Sequence, residues 1–420
     1  MLRALKETRF IKILSSFKGK LQNKMSAEVE TLVEPVSTLH ATKRPATENE
    51  DSGILAKQQK IEEFTKVKKR NYAVLLAYLG KDYFGMQRNP GMKTIEEDLI
   101  TALFKAHLIG QEAFDTIQTI HFQRAARTDK GVSATRQIVS LKMPEGATKD
   151  IINEYLPDTI RVFGLKRVTK GFNSKIQCTA RSYTYTLPSY AFAPDDPNIL
   201  RPRNGWLEEM VLEEREKSLS MIDGKPYTDY RLSPEIRERV SNVLKLFEGT
   251  HNYHNFTAKV RPLDPRANRY IMEFKCSEPW VSQGMEFVTL EIKGQSFMLH
   301  QIRKMVALAI GIVRNLVTEE TLEEAFKPEK MDIPIVPSLG LVLNHVHYDH
   351  YNRRYGGDGM HETLEWTECD DDIMQFHKKY ILRHIEDTEV NEKSMLMWLA
   401  SLALHTYGTR DQHISESPQV

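Results

Sequence analysis

The chain is expected to adopt an α+β fold, on the strength of three observations. Short strand-like runs alternate with helical periodicity along most of its 420 residues. The connections between them suit antiparallel pairing. No repeat of fixed period interrupts that alternation. A chain of this length accommodates two or three domains of roughly 100–200 residues each. Its apolar fraction of 40% predicts a true core with polar extensions.

The folded part begins near Asn71. Tyr72–Tyr78 (YAVLLAY) is short, apolar and closed by Gly80, which predicts a buried strand. Thr94, followed by Ile95, Leu99 and Leu103 and by early acids, predicts an N-capped amphipathic helix to about His107. Gln137–Leu141 reads as a strand and Lys149–Tyr155 as a short helix. Arg161–Val168 and Thr179–Leu187 alternate with period two, as strands do. An acidic stretch, Asn204–Leu219, reads as an insertion, and helix resumes over Pro234–Phe247. Strands are expected at Tyr270–Lys275 and Glu286–Lys293, a strongly apolar helix at Leu299–Leu316, and a last strand at Leu341–His347. From Glu365 to Tyr407 only helical periodicity remains, which predicts an appended helical tail.

The first 24 residues hold seven cations, among them Arg3, Lys12 and Lys24, against the single acid Glu7. This composition fits a mitochondrial transit peptide and a disordered basic tail equally. Met25 would serve as a second start. Ser26–Lys66 is polar and aperiodic, as disordered segments are. Lys66–Arg70 (KVKKR) suits a nuclear address or a phosphate contact.

Several classes are excluded or disfavoured. The longest apolar run, Met305–Val313, is far short of the roughly 20 residues that span a bilayer, so a soluble protein without a membrane partner is expected. Cys178, Cys276 and Cys369 are too few and too far apart for a disulfide framework or a four-cysteine zinc site. A reducing compartment fits: nucleus, mitochondrion or cytoplasm. The net charge of +1 conceals uneven patches, such as the acids of Glu208–Glu216.

Ala126–Ala134 (ARTDKGVSA) carries the chemistry. By itself Asp-Lys-Gly is a turn, with Gly131 supplying a positive φ. Arg127 and Lys130, however, flank Asp129, and neighbouring cations favour an ionised carboxylate. Covalent catalysis at a sugar or base carbon requires such a group. Arg181, Tyr183 and Tyr185 alternate and therefore share one face of a strand, offering aromatic surface beside a guanidinium. Core tyrosines of a β-rich strand would show the same pattern. Arg303 lies in a helix apolar over most of its circumference, so burial and a carboxylate partner are expected for it.

The segment RTDKGV resembles the R-T-D-x-G-V signature of the TruA-type tRNA pseudouridine synthases. It has company. Tyr78–Asn89 (YLGKDYFGMQRN), Thr179–Tyr185 (TARSYTY), Phe247–Phe256 (FEGTHNYHNF), Ser296–Val306 (SFMLHQIRKMV) and Pro337–Tyr351 (PSLGLVLNHVHYDHY) resemble the family's other elements, in family order, across Asn71–Asn352. The wording of GMQRN and AARTDKGVSA is most similar to the eukaryotic branch, which serves nucleus and mitochondrion.

That resemblance implies two ferredoxin-like α/β halves, 71–193 and 194–352, forming one continuous antiparallel sheet around a central cleft. A basic extension (1–70) and a helical tail (353–420) would flank them, with the acidic insertion near 204–230. It implies that uridine in tRNA and other structured RNAs is isomerised to pseudouridine, without a cofactor or metal. Asp129 would be the nucleophile, and Arg127 would fill the space left by the extruded uridine. Tyr183 would stack on the target base, and Arg303 would pair with Asp129. The basic clusters containing Lys166 and Arg167, and Arg266 and Arg269, are candidate RNA contacts together with Arg181. The bacterial relatives are dimers; here the insertion and tail favour a monomer.

A competing motif is His345–His350 (HVHYDH), which spells H-x-H-x-D-H, a run of metal ligands in metallo-β-lactamase-type hydrolases. That motif normally opens a large domain, whereas only about 70 residues follow here. The usual upstream context is absent, and the same letters fit the closing strand of the synthase pattern. A non-catalytic RNA-binding protein on the same scaffold is a further alternative, against which the retention of Asp129, Arg127 and Tyr183 argues.

Overall fold

The structure, a computed structural model, describes residues 68–194, 216–258, 260–402, 405, 407 and 408. The transit-peptide and disorder expectations for the N-terminus, and most of the acidic insertion, lie outside the described residues.

Strands β1 (Lys69–Tyr78), β2 (Gln123–Arg124), β3 (Ser133–Pro144), β4 (Ile160–Arg167) and β5 (Ala180–Pro188) alternate with helices α1 (Ile95–Lys105), α2 (Gln111–Asp115) and α3 (Lys149–Asn153). A small hairpin of β6 (Met221–Ile222) and β7 (Lys225–Pro226) precedes α4 (Pro234–Lys245). Then come β8 (Gly249–Asn252), β9 (Asn268–Cys276), β10 (Trp280–Ser282) and β11 (Met285–Gly294). Helices α5 (Gln301–Val313) and α6 (Glu319–Ala325) lead to β12 (Leu341–His347) and α7 (Asp349–Tyr355). The tail holds α8 (Asp370–Phe376), a π-helical stretch (His377–Leu382), α9 (Arg383–Glu392) and α10 (Ser394–Leu402).

Local chemistry accounts for the boundaries. The Thr94 hydroxyl accepts from Glu97 N at 3.3 Å and starts α1, whose first turn carries three acids suited to the positive end of the helix dipole. Ser233 caps α4, and Pro234 occupies the first turn, where its missing N–H is harmless. The apolar Ala73–Tyr78 run forms a strand buried on both faces, so it does not alternate.

The sheet has ten strands, with the main order β4-β1-β3-β12-β5-β11-β9-β8. All neighbours are antiparallel except β3 and β12. The mixed α+β architecture with one large, mostly antiparallel sheet is therefore as expected. Chain order and spatial order part company at the centre. There β12, late in the chain, lies between β3 and β5, and β5 pairs with β11. The sheet centre thus gathers Ser133, Tyr183 and Leu343 from distant segments, with Tyr183 opposite Leu343 and Ile292.

The tail is helical as expected, but it is more than an appendage. Trp366 is buried against Gly164, whose missing side chain makes room for the indole. Phe376 meets Phe163 edge to face at 5.9 Å, and Ile373, Ile381, Ile385 and Leu396 join the main core. Each such fully buried side chain contributes about 1.5–3 kcal/mol. Lys166 belongs to this contact. It is buried, its Nζ lies 2.8 Å from Glu368 and 3.1 Å from Thr363 O, and it stands over the Trp366 ring. The tail thus engages the charge of this candidate phosphate contact. Among the described residues no helix is long and apolar enough to cross a membrane.

Candidate active site

Asp129 sits on the turn joining β2 to β3. Val132 N donates to Asp129 O at 3.1 Å, and Gly131 takes φ +78°, the conformation a tight turn of this kind requires at its third position. Side chains alternate here: Thr128 points inward and is buried, while Arg127 is exposed and Asp129 retains 32% side-chain exposure.

The inward contacts hold the turn. The Thr128 and Tyr78 hydroxyls are hydrogen-bonded at 2.8 Å within the core. Burial pushes the Tyr78 phenol up to about 12, so it remains a protonated structural group. The Gln137 side-chain amide donates to Ala126 O at 2.8 Å and accepts from Ala126 N at 3.3 Å. The loop following β1 grips the turn from the other side. Met86 N donates to Thr128 O, Gly131 N donates to Tyr83 O, and Gly80 N donates to the Ser133 hydroxyl. This explains the glycines of YLGKDYFGMQRN. A Cβ on Gly80 would lie 2.3 Å from Val132 O, and one on Gly85, at φ +105°, would lie 2.7 Å from Thr128 O.

Tyr183 is buried on β5 and packs edge to face on Phe297 at 5.2 Å. Its phenol is raised above the ordinary range, chiefly by burial, with the Asp129 charge adding to the effect. Tyr185, on the same face, is core: its hydroxyl donates to Pro337 O at 2.8 Å.

Arg303 lies in the first turn of α5. Its Nε donates to Val336 O at 2.7 Å, and no carboxylate pairs with it at ion-pair distance among the described residues. A backbone carbonyl meets the need for an acceptor because the guanidinium is only partly buried. Burial lowers its pKa, while the charges of Tyr185 and Asp129 oppose that shift.

One side chain within ion-pair range of the carboxylate was missed by sequence reasoning. His300 Nδ1 lies 3.7 Å from Asp129 Oδ2. The signal was present, since His300 stands three residues before Arg303, on the same side of a helix start. Phe297 and the Val336–Ser338 segment were also missed.

The expected RNA contacts fare differently. Arg181 is turned into the protein, where it donates to the carbonyls of Ala125 at 2.7 Å and Gln295 at 2.9 Å. It joins the segment leading into the RTDKG turn to the loop that carries Phe297 and His300, which is a structural task. Arg167 is exposed at the end of β4. Arg266 is exposed and bonded to Asp264 at 2.6 Å. Arg269 is partly buried, and desolvation lowers its pKa.

The HVHYDH run does not form a metal centre. His345 and His347 lie with ring centroids 4.5 Å apart and tilted by 49°, the His347 ring is bonded to the Ser182 hydroxyl, and Asp349 accepts from Thr179. Among the described residues no three His, Cys, Asp or Glu side chains converge to hold a metal ion. Burial drives the His345 imidazole down to about 4, which keeps it neutral.

Comparison with known proteins identifies the family. Residues 243–349 match the family model described as tRNA pseudouridine synthase. The chain is 45% identical over 346 residues to the Pseudouridylate synthase 1 homolog of Mus musculus, covering 81% of this chain and 76% of that protein. Against the Homo sapiens homolog it is 45% identical over 340 residues, covering 80% and 73%. The tRNA pseudouridine synthase 1 of Yarrowia lipolytica is 32% identical over 370 residues, covering 74% and 70%. At 45% identity over about four-fifths of its length to two of these homologs, the chain belongs to the TruA-type pseudouridine synthases, in their eukaryotic branch.

Proposed function

We propose that the protein converts uridine to pseudouridine in tRNA, and in other structured RNAs that expose a uridine, with Asp129 attacking the extruded nucleotide. The observation that carries this reading is the contrast within the turn. Thr128 is locked inward, while the adjacent Asp129 carboxylate faces outward beside Tyr183 and His300.

Isomerisation requires the C1′–N1 bond to break, the uracil to turn, and C1′ to join C5. A stacked uridine presents none of these atoms, so it is flipped out at a cost of a few kcal/mol. Arg127, exposed two residues before Asp129, fills the gap. Asp129 attacks C1′ as the C1′–N1 bond breaks and uracil leaves with its electron pair, or adds to C6 by opening the C5=C6 double bond before C1′–N1 breaks. The uracil stacks on Tyr183 while it turns, after which the bond to Asp129 breaks and the C5 proton is removed. Burial keeps the Tyr183 phenol protonated, so in this reading the proton goes to the Asp129 carboxylate.

Incubation of the purified protein with unmodified tRNA transcript tests the assignment. Digestion and chromatography of the nucleosides should show pseudouridine formed at the expense of uridine, undiminished by EDTA. Absence of product, or a hydrolytic activity lost with EDTA, would refute it. Tyr183→Ala should lower the rate of this conversion roughly 5- to 150-fold, the equivalent of the ~1–3 kcal/mol that stacking on an aromatic ring supplies per base. Single-turnover rates on saturating tRNA would measure the effect.

A further inference from the structure

We propose that His300 is a positioning residue for Asp129: its Nδ1–H holds Oδ2 of the carboxylate and leaves Oδ1 free to meet the nucleotide. This rests on the reading of Asp129 as the nucleophile.

Four observations carry the inference. His300 Nδ1 is 3.7 Å from Asp129 Oδ2, and among the described residues no lysine or arginine lies within 4 Å of that carboxylate. The same Nδ1 is buried and has no hydrogen-bond partner, although a buried ring nitrogen ordinarily has one. Arg303, the cation next along the helix, is turned to Val336 O. Finally, His300 takes φ +63°, a left-handed conformation uncommon outside glycine, just ahead of α5. Such outliers persist where the surroundings over-determine them, and they cluster at functional sites. This one aims the ring at the turn.

The electrostatics agree. Burial lowers the His300 pKa, Asp129 opposes the shift, and Arg303 and Lys304 reinforce it. A neutral imidazole with its proton on Nδ1 orients the carboxylate without neutralising it, whereas a close Arg or Lys pair would draw down its nucleophilicity. A contraction of about half an ångström or more on RNA binding brings 3.7 Å into hydrogen-bond range.

Three variants separate this role from a structural one. Glycine adopts positive φ without steric cost, so His300→Gly removes the ring while sparing the backbone. Asparagine also tolerates that region, and its amide nitrogen occupies the place of Nδ1. Glutamine places its amide nearer the position of Nε2. In single-turnover assays on tRNA, His300→Gly should lose on the order of 10²-fold in kcat. KM should stay within about threefold, as for an interaction made in the transition state. His300→Asn should recover at least about tenfold of the lost rate, and His300→Gln should not.

Wild-type turnover by His300→Gly, a raised KM with unchanged kcat, or equal losses in all three variants would overturn the proposal. Asp129→Asn assayed in parallel keeps the failures apart. If it is inactive while His300→Gly turns over normally, only the positioning role falls; if it remains active, the nucleophile assignment falls.

Discussion

Replacing Asp129 with asparagine is expected to lower pseudouridine formation by on the order of 10⁴-fold or more while the protein still folds and binds tRNA. The amide has the size of the carboxylate but neither its charge nor its nucleophilicity, so no bond to the nucleotide forms. Stability should change by less than about 0.5 kcal/mol, as for a solvent-facing site. The turn is held by backbone groups and by Thr128, Gln137 and Gly131, and the Asp129 side chain takes no part in that scaffold. Release of tritium from C5-labelled uridine in tRNA would follow the chemistry, filter binding the affinity, and thermal melting the fold. Release at the wild-type rate would remove Asp129 from the mechanism.

The second large effect is expected forty-nine residues earlier in the chain. A methyl group on Gly80 would lie 2.3 Å from Val132 O and 2.4 Å from Val132 C. Both atoms are backbone, so no side chain can rotate away to relieve the clash. Either the turn shifts or the core strains. Overpacking of this kind costs about 1–3 kcal/mol. A displacement of about 1 Å at the reacting group costs about 10² in rate. Gly80→Ala should therefore melt at lower temperature and turn over on the order of 100 times more slowly. Gly171→Ala, where an added Cβ meets nothing within 4 Å, is the control and should match wild type in both. Equal melting and turnover for the two variants would mean that the loop after β1 does not set the position of Asp129.

Gly80 also marks the boundary of what local pattern reveals. The YAVLLAY strand, the Thr94 cap and the Asp-Lys-Gly turn are all consequences of neighbouring residues, and the structure has each of them. The grip of Gly80 on Val132 joins segments some fifty residues apart, and periodicity carries no information at that range. The same reason hides the placement of β12 between β3 and β5, since alternation identifies a strand but not its neighbour.

Charge was the least legible property. Lys166, Arg181 and Arg266 look alike in sequence, yet the tail consumes the first, backbone carbonyls the second, and Asp264 the third. A cation's availability for phosphate depends on what packs beside it. The apolar run Leu299–Leu316 likewise predicts a helix from its first residue, but α5 begins at Gln301, because His300 departs into the left-handed region. That departure is what delivers the imidazole to Asp129.

The most direct test is a structure of the Asp129→Asn protein bound to tRNA. One uridine should be swung out of its helix, its ring against Tyr183, and its C1′ or C6 about 3–3.5 Å from the side chain at position 129. A uridine that stays stacked, or one that enters elsewhere and leaves the RTDKG turn facing solvent, would contradict it.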